Sequence, residues 1–296
     1  MGFFPLFLSS LFLPLVSIVL LWIRTRRPWA GWIATLILAA GVTGFSVLAA
    51  PWGYFGVPLR FIVALLFLTA LVTSIVRKPE DDDRQESPVR HLMKALVGLF
   101  FGGVAVGVLA SYRVPEGAID LQFPLKDGTF LVTHGGSESA ANAHAFEKGE
   151  RYGVDLVQLN AFGSRASGLY PRELTRYRIW GAPVLSPCDG TVARITDGLP
   201  DNAPGARDLQ HKNGNEVVLR CGDADVFLAH LQRGSVSVQP NARVIAGAVV
   251  GRAGNSGDAP EPHLHIHAER NGVAVPARLG GRWLVRNAIV RRFGVR

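Results

Sequence analysis

Four apolar runs, about Phe3 to Ile23, Trp29 to Ala50, Leu59 to Val76 and Leu92 to Ala110, fill the first hundred or so residues of this 296-residue chain. Each has about the length, roughly 20 residues, that an α-helix needs to cross the hydrocarbon core of a bilayer. Four such runs joined by short charged or aromatic loops do not suit a soluble core, so residues 1–111 read as a transmembrane region of four helices. The opening MGFFPLFLSS has no basic n-region and leads into a run too long for a signal core, which argues against a cleaved signal peptide.

Loop charge sets the orientation. RTRRP (Arg24 to Pro28) and RKPEDDDRQESPVRHLMK (Arg77 to Lys94) hold most of the basic residues of this half, whereas PWGYFGVPLR between the second and third runs holds only Arg60. Positive residues stay on the cytoplasmic side, so both termini face outward and the protein is a multi-pass membrane protein with an extracytoplasmic C-terminal domain. Trp29, Trp52 and Tyr54 lie near segment ends, as interfacial aromatics do.

Residues 112–296 form the exported domain, large enough for its own core. From Arg113 onward there are 22 Lys and Arg against 18 Asp and Glu, +4 of the chain's +8. No basic stripe interleaved with stacking aromatics is present, so nucleic acid is not an expected partner. Short apolar runs such as GTFLV, GTVARI, NEVVLR, ADVFLAHL and GVAVPARL sit between Gly, Asn, Asp and Pro clusters, the pattern of an all-β antiparallel sheet or sandwich. Asn160 to Trp180 reads as a long loop or short helical excursion. The two cysteines, Cys188 and Cys221, both fall in this exported part; they are either disulfide-bonded or buried as free thiols.

EPHLHIHAER, Glu261 to Arg270, packs three of the eight histidines into five residues at strict alternation. On a strand His263, His265 and His267 face one way while Leu264, Ile266 and Ala268 face the other. Neutral imidazole is the commonest metal ligand and titrates near physiological pH, so that face suits a metal or proton-transfer site. Partners lie elsewhere: His230 after an apolar strand in FLAHLQRGSV, Asp155 in RYGVDL, and His134 and His144 in THGGSESAANAHAF. Two imidazoles and a carboxylate suffice for a hydrolytic zinc centre that keeps one position for water.

At these residues the exported domain resembles the M23 family of zinc metallopeptidases, the lysostaphin and LytM type. YGVDL, APVLSPCDGTV, GNEVVL, FLAHLQRGSV, VVGRAGNSG and EPHLHIHAE occur in the family's order between about Gly135 and Glu269. The resemblance implies a membrane-anchored zinc (Zn2+) metalloendopeptidase that hydrolyses peptide bonds of peptidoglycan. It makes His230 and His263 catalytic, makes Asp155 and His265 metal ligands, and places His267 outside the ligand set. One position departs: the family's first ligand is a His four residues before the Asp, and here that residue is Arg151, whose guanidinium has no lone pair to give. Either a ligand arrives from elsewhere, with His144 first and His134 in reserve, or the domain is an inactive LytM-like module that binds the wall or regulates a hydrolase. On the first reading zinc sits among His144, Asp155 and His265, and His230 or His263 takes the proton of the attacking water. Cys188 and the glycines of GRAGNSG read as structural.

Overall fold

The computed structural model describes residues 7–23, 29–77 and 87–293. The chain divides into two units, Met1–Leu109 and Ala110–Arg296. The first carries four helices: α1 (Leu8–Ile23, π-helical over Leu8–Phe12), α2 (Trp29–Ala49), α3 (Pro58–Val76) and α4 (Pro88–Ala110). Among the described residues α2, α3 and α4 are long and apolar enough to cross a membrane, and the described part of α1 is shorter. Three of the four spans read from the sequence thus coincide with helices of spanning length, and Phe3 to Leu6 of the first run lie outside the described residues. Residues 24–28 and 78–86, which carry most of the loop charge, also lie outside them, so sidedness rests on the sequence.

Small residues let these helices meet. A Cβ on Gly41 of α2 would run into the Gly98 carbonyl of α4, and one on Gly98 into that of Ile37. Close small-residue crossings are how helices associate in lipid, where no hydrophobic force drives them together. Phe61, Leu65, Leu68, Leu96 and Phe100 remain exposed on α3 and α4, an apolar surface suited to acyl chains. Trp52 corrects the interfacial reading. It is fully buried, and its indole N–H donates to the Ser46 carbonyl at 2.7 Å, which also accepts the Ala50 N–H at 3.3 Å near the end of α2.

The second unit is built from thirteen short strands among the described residues. The first seven are β1 (Ile119–Leu121), β2 (Gly128–His134), β3 (Val154–Leu159), β4 (Pro183–Leu185), β5 (Gly190–Thr196), β6 (Asn215–Cys221) and β7 (Ala224–Leu231). β8 (Arg243–Val244), β9 (Val249–Arg252), β10 (Leu264–Arg270), β11 (Val273–Val275), β12 (Ala277–Leu279) and β13 (Ile289–Arg292) complete the set. Nine of them form one antiparallel sheet in the order β13-β2-β3-β10-β7-β6-β5-β8, with β11 also on β10. β4 pairs with β9, and β1 runs parallel to β12.

Alternation decides which face is core. Phe130, Val132, Val154, Leu156, Val217, Leu219, Val226, Leu228, Leu264 and Ile266 pack into one apolar cluster. Asn271 and Gly272, with φ 52° and 73°, close β10 onto β11 by a two-residue turn whose positive φ values match the twist of the strands. Cys188 and Cys221 are disulfide-bonded, which decides between the two alternatives left by the sequence and ties the start of β5 to the end of β6. The stretch from Asn160 to Trp180 is a long connection with one 3-10 turn, Leu174–Arg176.

Candidate metal centre

β10 lies between β3 and β7, and that placement assembles the site. His265 is paired directly with Asp155 on β3 and with Ala229 on β7, one residue from His230. Asp155 projects opposite to Val154 and Leu156 of the core, as His265 and His267 do relative to Leu264 and Ile266. The His265 Nδ1 lies 2.7 Å from Asp155 Oδ1, and its Nε2 lies 2.9 Å from His267 Nδ1. His267 stacks flat on Phe227, ring centroids 4.3 Å apart, so this polar face of the strand is buried.

His144 reaches the same carboxylate from outside the sheet. It sits on a 3-10 turn, Ala143–Phe146, that Asn142 caps by accepting the His144 N–H on its side-chain oxygen. The Asn142 amide nitrogen, fully buried, donates to the carbonyls of Gly136, Arg151 and Gly153 at 3.0–3.2 Å. One side chain thereby closes the loop between β2 and β3 and sets the His144 Nε2 at 3.1 and 3.2 Å from the two Asp155 oxygens. Gly153 is required by proximity. A Cβ there would come 2.8 Å from His265 Cε1 and 3.4 Å from His144 Cδ2, so any side chain pushes the two rings apart. His144, Asp155 and His265 each offer one ligand atom, and the three atoms lie within 4.8 Å of one another.

Arg151 is exposed, its guanidinium 5.8 Å from the centre of the Tyr152 ring, and it does not enter the cluster. Its neighbour Glu150 turns inward. Glu150 Oε2 lies 3.6 Å from His144 Nδ1, 3.9 Å from His265 Nε2 and 3.2 Å from Lys212 Nζ. His134 is placed beside the cluster rather than in it, for its Nδ1 accepts the Ala143 N–H at 3.2 Å and lies 3.4 Å from the Arg286 guanidinium.

The two remaining histidines are held by backbone carbonyls. His230 Nδ1 lies 2.9 Å from the Ser256 carbonyl and His263 Nδ1 2.8 Å from that of Glu261. A carbonyl only accepts, so each Nδ1 carries the proton and each Nε2 keeps its lone pair. His263 Nε2 lies 3.9 Å from Asp155 Oδ1, and the His230 and His263 rings are 4.6 Å apart. His230 has φ 61°, a left-handed conformation that is uncommon for a non-glycine residue, though histidine adopts it more readily than most. Its N–H donates to Asn213 and its carbonyl accepts from Gly254, which hold the turn. Such strain is concentrated at functional sites.

Burial and charge divide the titrating groups. Burial holds the His230 imidazole well below its usual range, reinforced by the charges of His263 and His265. Burial likewise takes His265 and His134 down to about 4. His144 goes the other way: burial lowers it, but the Asp155 carboxylate and Glu150 outweigh that and raise it. Burial opposes ionisation of Asp155, yet the surrounding imidazoles keep its carboxyl well below the carboxylate range. For Glu150 too, burial is outweighed by the positive groups at His265, His267 and Lys212, and its pKa falls.

Four functional residues escaped the sequence reading. Glu150 and Lys212 act through loop geometry and belong to no spaced motif, and Asn142 acts in the same way from within an N-x-H spacing. Arg165 is buried and bonds Glu261 through two nitrogens at 2.6 Å, tying the Asn160 to Trp180 connection to the segment that carries His263. The N-x-H spacing of Asn142 and His144 was the one available sign.

No curated protein matches the chain. Among solved structures it is similar to a zinc-containing peptidase from Vibrio cholerae at 19% identity and TM-score 0.33, over 55% of this chain and 39% of that one. The catalytic domain of a prophage-encoded M23 protein from Enterococcus faecalis matches at 17% identity and TM-score 0.29, over 42% and 73%. Lysostaphin from Staphylococcus simulans matches at 21% and 0.28, over 42% and 41%. These likenesses assign no chemistry to individual residues. The model of peptidase family M23 matches residues 177–277, the span that includes His230, His263 and His265. The chain therefore carries a peptidase family M23 domain.

Proposed function

We propose that this protein is a membrane-anchored zinc metalloendopeptidase that hydrolyses peptide bonds in peptidoglycan. The observation that carries the reading is the convergence of His144, Asp155 and His265 next to His230 and His263, whose Nδ1 atoms face backbone carbonyls. Two imidazoles and one carboxylate form a donor set suited to a catalytic zinc ion, which takes three protein ligands and leaves a position open. The donors fit in protonation as well. A metal on His265 Nδ1 leaves the proton on Nε2, where His267 Nδ1 stands ready to accept it, and one on His144 Nε2 leaves Nδ1–H facing Glu150.

Zinc bound there supplies a Lewis acid that polarises the scissile carbonyl and makes water acidic enough to ionise near neutrality. The chain's own residues do the rest. His230, kept neutral by burial, and His263 each present an Nε2 lone pair on the cluster side. One accepts the proton of the attacking water, and the other, once protonated, donates to the oxyanion or the departing amine. Asp155 stays ionised and holds three rings in register. No Ser or Cys nucleophile is required. The M23 match over residues 177–277 and the compartment the loop charges give support this substrate class, and α2, α3 and α4 serve as the membrane anchor.

A second reading, a metal-free module that binds the wall or regulates a hydrolase, draws on Arg151 and on the position of Asn142 to Asp155 outside the matched span. Digestion of peptidoglycan by the full-length protein in detergent separates the two. The enzyme releases new amino termini, and His263→Ala or His230→Ala lowers kcat by about 10²–10⁴-fold while zinc is retained. Equal sacculus binding by zinc-loaded wild type and both variants, with no cleavage by any, supports the binding module instead.

A further inference from the structure

We infer that Glu150 is a positioning residue for the metal centre: its carboxylate is the outer acceptor that fixes the orientation and tautomer of His144, with Lys212 holding it in place. This rests on the zinc reading above. A histidine ligand has to give the metal a bare nitrogen and so keeps its proton on the other, and whatever accepts that proton decides how the ring is turned. For His265 the neighbour on the same strand, His267, fills that place at 2.9 Å. His144 stands on an irregular turn and has no strand neighbour to do so. The group its Nδ1 faces is Glu150 Oε2, at 3.6 Å, in a side chain that is 13% exposed.

The loop is built to present Glu150 inward. The Glu150 carbonyl accepts the Gly153 N–H at 2.6 Å, and the carbonyls of Arg151 and Gly153 are both clamped by Asn142. Gly149 lies against Glu269, where a Cβ would strike the carboxylate. Lys212 comes from the connection between β5 and β6 and pairs with Glu147 at 3.3 Å and Glu150 at 3.2 Å, joining two separate loops beside the cluster. A bare carboxylate this close to Asp155 would place two like charges around one metal. The lysine balances the second, which leaves Glu150 to orient rather than to bind. The chain has thus turned Arg151 out to solvent and given the adjacent position to a residue that backs the replacement ligand.

The test is zinc affinity of the full-length protein in detergent, measured by competition with a chromophoric chelator, in wild type, Glu150→Ala, Glu150→Gln and Lys212→Met. Imidazole ¹⁵N spectra of the zinc-loaded proteins at alkaline pH report the exchange of the His144 Nδ1–H independently of activity. We expect Glu150→Ala to bind about 10–100-fold more weakly. Glu150→Gln, which keeps an acceptor oxygen, is expected to stay within a few-fold of wild type, and Lys212→Met to fall between them. The His144 Nδ1–H of the zinc-loaded protein is expected to exchange slowly in wild type and Glu150→Gln and fast in Glu150→Ala. Wild-type affinity in a folded Glu150→Ala protein overturns the inference, as does a glutamine variant as weak as the alanine one, which would make Glu150 a ligand. If wild type binds no zinc at all, the zinc reading itself fails and this inference goes with it.

Discussion

Asn142 is the residue on which the placement of His144, the proposed ligand, depends. Its side chain, itself fully buried, caps the turn that carries His144 and gathers three carbonyls from both ends of the loop. Removing a buried group so bonded leaves several partners unsatisfied, each costing about 1–3 kcal/mol. We expect Asn142→Ala to lose about 3 kcal/mol of stability, read as a fall of roughly 10 °C in melting temperature, and to lose zinc more readily than wild type. Unchanged melting would mean that the loop holds itself without the amide. At this scale the sequence was only partly legible. Asp155, His230, His263 and His265 stand in motifs whose spacing marks them, whereas Glu150, Lys212 and Arg165 matter through contacts made by irregular loops, for which no periodicity exists.

The strand is the element that explains the site. Period-two alternation in EPHLHIHAER places His265 and His267 on one face and Leu264, Ile266 and Ala268 on the other, and β10 has that arrangement. What alternation does not give is the neighbour on either side. β10 pairs with β3 and β7, which lie far from it in sequence, and this order brings Asp155 and His230 to the same patch. The left-handed turn at His230 was invisible for the same reason, since a histidine carries no mark of the conformation that a chain forces on it.

Packing three imidazoles against that strand has a consequence for stability. His134 and His265 are held to about 4 and His230 well below its usual range, all three mainly by burial. A histidine with a folded pKa below the unfolded value of about 6.5 contributes its full stability above that value and loses it as pH falls toward the folded one. His144, raised, works in the opposite sense: its contribution is present at low pH and fades as pH rises through its folded value. Three groups against one set the net sign. Chelator-treated protein is therefore expected to lose stability between about pH 6.5 and 4, at up to roughly 1.4 kcal/mol per pH unit for each proton taken up. Urea midpoints at a series of pH values measure this, and midpoints that hold steady or rise on acidification would contradict it.

At the scale of the whole molecule, an apolar helical unit precedes a β unit with its own core. The apolar runs were legible because bilayer thickness imposes a length that few soluble helices share. Among the described residues three helices have sufficient length, and the first run begins outside those residues. An anchored protein should stay with the membrane through an alkaline carbonate wash, leave it only in detergent, and expose a C-terminal tag to protease added on the extracytoplasmic face. Release by carbonate would show that α2, α3 and α4 do not hold it there.

The central claim is that His144 replaces the missing first ligand and completes a zinc centre. Elemental analysis of the purified full-length protein addresses it directly, with His144→Ala and Asp155→Ala prepared alongside. About one zinc per chain in the wild type, lost in both variants, is the expected result. A wild type without zinc after reconstitution, or variants that keep it, would contradict the account and leave the domain as a binding module.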